Sequence, residues 1–156
     1  MRHLYHGSGY QQDELKPGIH YTGEKVEWDK TESNEWLYAT TSMEEAIAQG
    51  FASTVEKHYV LARFMSHGRD LTLVFDKQVP TLQQLTDLKV YLYKIDWDTT
   101  HGWVKVNNLH NGMESEYKTQ ATLKGDVIDS CTLVDLKQWL SRKTVKLLSK
   151  KAALNW

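Results

Sequence analysis

Leu37-Tyr38-Ala39-Thr40-Thr41-Ser42-Met43-Glu44-Glu45-Ala46 changes its character halfway along. Through Thr40, with Trp36 before it, aromatic and β-branched residues suit a pleated, half-buried strand. From Ser42 onward a hydroxyl residue stands three positions ahead of Glu45, which is capping-box spacing, so a helix is expected to start near Met43. Ala46, Ile47, Phe51 and Val55 then repeat on one helical face to about Lys57, with Gly50 inside the run at some cost in helix propensity. A strand feeding directly into a capped helix is thus the first unit of the fold.

The flanking segments are mostly strands. Residues 2–6 (Arg-His-Leu-Tyr-His) read as a short strand closed by Gly7-Ser8-Gly9, which puts His6 at the strand's end. Residues 13–34 carry Pro17-Gly18, Gly23 and scattered charges without a sustained period, and are expected to form a long surface loop with one brief strand. Further on, 70–75 and 90–96 are strand candidates, with 80–86 a short helix or turn between them. Residues 116–122 and 126–133 read as two more strands joined at Gly125. In 134–154, Leu136, Leu140, Val145, Leu147 and Leu148 lie among Lys and Arg, which predicts an amphipathic closing helix. The expected class is α+β, a single domain over residues 1–156.

Composition narrows the function classes. A chain of 156 residues suits one domain at roughly 150 residues each, and 40% hydrophobic with 25% charged residues excludes disordered and collagen-like classes. A net charge of −1 leaves no global field for nucleic acid or an anionic membrane. The N-terminal stretch has no apolar run of signal-peptide length and no stretch reaches membrane-span length, so a cytoplasmic protein without membrane contact is expected. Cys131 is the one cysteine, which excludes an internal disulfide and a multi-cysteine zinc site, and it is expected to pack as a small apolar side chain. Six Trp and eight Tyr suit both a core and an aromatic-lined cleft.

Three short motifs occur in order: Tyr5-His6-Gly7-Ser8, Tyr38-Ala39-Thr40-Thr41-Ser42 running into the helix, and Ser115-Glu116-Tyr117 opening a late strand. Together they resemble the His-Tyr-Glu class of the ADP-ribosyltransferase superfamily, and among small domains the rifampin ADP-ribosyltransferases. The resemblance implies a split β-sandwich of two small sheets with flanking helices, holding NAD as co-substrate in the cleft between them and needing no metal. It implies that His6 and Tyr38 position NAD, with Gly7 and Ser8 beside it, and that Glu116 is the catalytic acid. Where many members place an aromatic on the helix, Gln49 stands near that position here and Phe51 is the substitute. The rifampin-enzyme register offers Asp98, or Asp96, as an alternative acid. The acceptor of the ADP-ribose, whether small molecule, protein or nucleic acid, is left open.

These residue types also suit the chemistry on physical grounds. Breaking a nicotinamide-ribose bond passes through an oxocarbenium-like state that a carboxylate such as Glu116 stabilises. The face of Tyr38 can stack on a cationic ring, and His6 can hydrogen-bond a ribose hydroxyl. Gly7 permits close approach of its backbone. Glu114 and Glu116, two apart on an extended strand, share a face, so one carboxyl is pushed up in pKa and Glu114 becomes a candidate for acting on the acceptor. The plain alternatives are a partly exposed structural His6, a core Tyr38, a solvated Glu114/Glu116 face and turn chemistry at Ser8.

Other constellations carry less. His3 and His6 fall on opposite strand faces and make no metal pair. Asp96-Trp97-Asp98 with His101 has ligand-type side chains without diagnostic spacing. Gly7-Ser8-Gly9 lacks the third glycine of a dinucleotide fingerprint. Lys137, Arg142, Lys143, Lys146, Lys150 and Lys151 would form a basic helix face, ordinarily solvated. Two rival functions remain beside the transferase: a non-catalytic nucleotide-binding or interaction module on the same fold, and an RNA 2′-phosphotransferase-like enzyme.

Overall fold

The computed structural model describes residues 3–18, 36–58, 62–67, 70–76, 78–106 and 116–153. In chain order these form β1 (His3–Ser8), β2 (Leu37–Thr40), α1 (Met43–His58), β3 (Ala62–His67), β4 (Asp70–Phe75), α2 (Leu82–Thr86) and β5 (Tyr91–Asp96). After a 3-10 turn at Thr99–His101 come β6 (Val104–Lys105), β7 (Glu116–Thr119), β8 (Ile128–Leu133), α3 (Leu136–Leu140), β9 (Val145–Ser149) and α4 (Lys150–Ala153). The class is mixed α+β, with mostly strands in two open sheets. The larger sheet has six strands in the order β6-β7-β2-β1-β5-β8, every neighbouring pair antiparallel. The smaller has the order β3-β4-β9, with β9 parallel to β4.

α1 forms as its sequence predicts. Ser42 Oγ accepts the Glu45 N–H at 3.3 Å and Ser42 O accepts the Ala46 N–H at 3.1 Å, which satisfies the first turn. Ile47, Phe51 and Val55 bury the stripe against Phe64, Leu71, Leu73 and Phe75 of the small sheet, with Trp139 and Leu140 of α3 completing that core. A second core, Leu4, Leu37, Ala39, Tyr93 and Ile95 with Leu15 and Leu123, lies on the large sheet, and Cys131 is half-buried against it.

Several local expectations change. β1 continues through Gly7 and Ser8, so His6 lies inside the strand, and the chain turns only beyond Ser8. The closing segment is no single helix. Asp135 caps α3 by accepting the Gln138 N–H at 3.1 Å, and α3 ends at Leu140. Val145, buried, and Lys146, exposed, then begin the β9 strand along β4. The basic residues of that segment are thereby spread over α3, the turn after it, β9 and α4: Arg142 pairs with Glu44 at 2.5 Å and Lys150 with Asp76 at 3.6 Å. β7 and β8 share no ladder, for β7 joins β2 while β8 joins β5 at the opposite edge. The loop expectation for 13–34 is described only to Gly18, where Leu15 bridges Leu123 and Gly18 bridges Trp36; the rest of it lies outside the described residues. Among the described residues, no helix is long and apolar enough to cross a membrane.

Candidate functional site

Register fixes which side chains can meet. Tyr38 pairs with Lys118 and Thr40 with Glu116 across β2 and β7, and Tyr5 pairs with Thr40 across β1 and β2. Paired residues share a sheet face, so Tyr5, Tyr38, Thr40, Glu116 and Lys118 lie on one face. α1 contributes two side chains one helical turn apart to the same place: Glu45 and Gln49. The Thr40 hydroxyl donates to Glu45 Oε2 at 3.0 Å, and Gln49 Nε2 donates to Glu116 Oε2 across a long 3.4 Å. Glu116 is only 3% exposed and Glu45 only 7%.

Electrostatics follows from that burial. Loss of hydration is the main reason the Glu116 carboxyl is pushed up to about 7; the neighbouring Glu45 charge adds to the rise and Lys118 opposes it. A carboxyl poised there is half ionised at neutral pH and sensitive to any positive charge brought beside it.

His6 reaches the site differently. Alternation places it on the side of Leu4 and Ser8, opposite Tyr93, whose ring centroid is 6.3 Å away. The β1–β2 ladder consists of the Tyr5–Thr40 pair alone, and just beyond it His6 Nδ1–H donates to the Tyr38 carbonyl at 2.7 Å. A carbonyl only accepts, so Nδ1 carries a proton. His6 and Tyr38 therefore meet at the opening between β1 and β2, through the Tyr38 backbone.

The remaining candidates fall into place one by one. A Cβ on Gly7 would lie 2.0 Å from the Ala46 carbonyl oxygen, so the space beside Gly7 is filled by the α1 backbone. Ser8 Oγ accepts the Tyr10 N–H at 3.3 Å and the Gln12 amide at 3.1 Å, which is turn chemistry. Phe51 is 0% exposed, its ring 5.6 Å from that of Trp139, and it belongs to the first core with no face open for stacking a ligand. Asp98 caps the 3-10 turn through the Thr100 N–H at 2.9 Å and the Thr100 hydroxyl at 2.8 Å, bonds that hold its carboxyl below the ordinary range. It follows the Asp96 end of β5, while Lys94 is the residue that pairs with Tyr5. Glu114 lies outside the described residues.

Two features escaped the sequence. Glu45 looks like a capping residue, and its backbone does cap; its side chain turns inward to Thr40, whose oxygen takes the Ser42 N–H at 3.0 Å in its place. On the three neighbouring strands β1, β5 and β8, His3, Asp96 and Asp129 offer ligand-type atoms all within 4.8 Å of one another. There His3 Nε2 is 3.1 Å from Asp96, and Lys94 Nζ already supplies a cation 3.7 Å from Asp129.

Cavities divide in the same way. One of about 590 Å³ among Gln12, Asp13, Glu14, Lys16 and Lys124 lies apart from these residues and is wide open to solvent. Another of about 290 Å³ has Glu45 in its wall, with Ser42, Ser66 and Arg142. No family model, no curated protein and no solved structure gives a significant match to the chain.

Proposed function

We propose that the protein is an NAD-dependent ADP-ribosyltransferase, its cleft lying where β1 and β2 part and Tyr38 and Glu116 share a face. The observation that carries this reading is the buried Glu116 carboxyl on the strand next to Tyr38, beside the opening that His6 bridges. In the reaction the bond from ribose C1′ to the nicotinamide nitrogen breaks and its electron pair leaves with the ring, which becomes neutral nicotinamide. The positive charge left on the ribose is stabilised by ionised Glu116, and a lone pair of the acceptor forms the new bond to C1′ as its proton passes to solvent or a carboxylate. Tyr38 contributes an aromatic face to the cationic ring and His6 a hydrogen bond to a ribose hydroxyl. The finer fold expectation, a split sandwich of the ADP-ribosyltransferase type, belongs to the same proposal and is supported by the two sheets and the one-pair ladder.

One observation favours a second reading, a nucleotide-binding module without turnover: His6 and Glu116 come from opposite faces by strand alternation. Nicotinamide release decides between them. Wild type should release nicotinamide from NAD, Glu116→Gln should lose at least about a hundredfold in rate, an effect of the size seen when a charge-stabilising group is removed, and Asp98→Asn should match wild type. Binding by calorimetry without release supports the module, and absence of both binding and release overturns the NAD assignment.

A further inference from the structure

The end of the large sheet formed by β1, β5 and β8 gathers an imidazole and two carboxylates that the proposed transfer chemistry does not use. His3 on β1 pairs with Asp96 on β5, so both lie on one face of the sheet. Beyond β5 the register of β8 shifts: Lys94 pairs with Ser130 and Ile95 with Ile128, which leaves Asp129 as an extra residue with no partner across the ladder. A bulge of this kind re-aims a side chain. Strict alternation from Ser130 would send Asp129 to the face of Tyr93 and Ile95; the bulge turns it toward Lys94, whose ammonium stands 3.7 Å from its carboxylate. His3, Asp96 and Asp129 thereby offer one ligand-type atom each, all within 4.8 Å of one another. His3 Nε2 and Asp96 Oδ1 are 3.1 Å apart. Two ligands each about 2.0 to 2.2 Å from one tetrahedral ion stand roughly 3.3 to 3.6 Å apart, so this pair already has close to the required spacing and Asp129 is the residue that must close in. Its carboxylate is 49% exposed and free to turn, while His3 and Asp96, at 30% and 39%, are open enough for an ion to enter.

We propose that His3, Asp96 and Asp129 form a binding site for a divalent transition-metal ion, with Zn²⁺ the ion it favours. Two carboxylates and a neutral imidazole carry two negative charges, which a divalent ion offsets in full and the single charge of Lys94 offsets by half. An imidazole nitrogen beside carboxylate oxygens suits Zn²⁺, whereas Mg²⁺ and Ca²⁺ prefer shells made of oxygen alone. Three protein ligands leave a fourth position for water or for an anionic group. The ion takes the lone pair of His3 Nε2, and a proton on that nitrogen goes to solvent. Lys94 holds Asp129 until the ion takes its place, which makes Lys94 a competitor of the ion. Bound there, the ion ties β8, the last strand of the sheet among the described residues, to β5 and β1. This site stands independently of the NAD reading, because β2 and β7, which carry Tyr38 and Glu116, lie on the other side of β1.

The test is calorimetric titration of Zn²⁺ into the full chain, stripped of metal and held in a buffer that does not chelate, with Co²⁺ followed by visible absorption and then displaced by Zn²⁺. One ion per chain is expected, Zn²⁺ binding more tightly than Co²⁺ and Mg²⁺ displacing neither at about a thousandfold excess. His3→Ala, Asp96→Asn and Asp129→Asn should each weaken Zn²⁺ binding by at least about tenfold, the low end of what loss of even a supporting partner costs. Lys94→Gln releases Asp129 and should tighten binding about two- to fivefold, the worth of an exposed ion pair. Asp126→Asn removes an equal charge at the exposed turn before β8 and should stay within about twofold of wild type. Imidazole ¹⁵N NMR of the wild type should show Zn²⁺ moving the His3 Nε2 resonance, a readout that needs no ligand deleted, and circular dichroism of each metal-free variant checks its fold. Absence of Zn²⁺ binding, binding that the three ligand variants leave unchanged, equal affinity for Mg²⁺, weaker binding by Lys94→Gln, or a His3 nitrogen that does not move each overturns the site. None of these outcomes touches NAD binding, which is measured separately.

Discussion

Glu116 makes the protein's stability depend on pH in a direction opposite to that of most carboxylates. The unfolded chain holds this carboxyl near 4.5 and the folded protein near 7. Below 4.5 both states are protonated and the folded state keeps its full advantage. Between 4.5 and 7 the unfolded chain ionises this carboxyl while the folded protein keeps it protonated, so about 3 kcal/mol is lost across that window, at 1.36 kcal/mol per unit of difference, and above 7 the loss is complete. Glu116→Gln removes that loss. Urea unfolding should find the variant level with wild type at pH 4 to 5 and more stable by up to about 3 kcal/mol at pH 8 to 9; parallel profiles would show that Glu116 titrates normally. At this scale strand alternation is legible in the sequence, and the β2–β7 register sets Tyr38 and Glu116 on one face. Glu45 was hidden because Ser-x-x-Glu has an adequate local explanation in helix capping, and nothing local says that a side chain turns away from its cap. Phe51 sits in the first core, as an aromatic on the buried stripe of a helix does.

Between α1 and β1 the chain uses two glycines to bring backbone against backbone. A Cβ at Gly50 would stand 2.9 Å from the Gly7 carbonyl carbon, and one at Gly7 only 2.0 Å from Ala46 O. Neither obstacle is a side chain that can swing aside. Gly7→Ala should therefore cost about 3 kcal/mol or more by forcing the helix from the strand. Gly9→Ala meets only the Thr54 hydroxyl at 2.9 Å and should cost about 1 kcal/mol or less. Denaturant midpoints of the two variants give the comparison, and equal losses would mean that α1 is free to shift. Close approach at Gly7 was legible in the sequence, and the structure puts the α1 backbone beside it. Elements whose period and end signals agree, α1 with Ser42 before it and β4 and β5 with their β-rich runs, were legible. β3 was not, because Ser66 occupies one of its inward positions, 5% exposed, and breaks the apolar alternation. The closing segment misled because Leu136 and Leu140 have helical spacing while Val145, buried, and Lys146, exposed, alternate, and one helix was drawn through both.

For the whole molecule, the balance of helices and strands gave the class, while the order of the strands could not be read from the chain. β2 lies between β1 and β7, and β8 pairs with β5 at the end of the sheet among the described residues; such pairings depend on contacts that no local window contains. The small sheet shows this most strongly. β3 and β4 are neighbours in the chain, yet the other side of β4 is covered by β9 from 145–149, laid parallel along it. Leu71 and Val145 begin that ladder and both are buried in the first core. A chain cut before Val145 should keep every strand of the large sheet and still leave the β4 edge bare. Size-exclusion chromatography should find it associating, since an unpaired apolar edge is a template for another chain; a monomeric truncation with wild-type circular dichroism would show that β9 is dispensable.

The same late strand has a consequence for how the protein is made. At about 5 to 20 residues per second, ribosomal synthesis separates β4 from β9 by several seconds, during which β4 is paired with β3 on one side only. For that interval the nascent chain carries one side of β4 uncovered, a strand edge open to another chain.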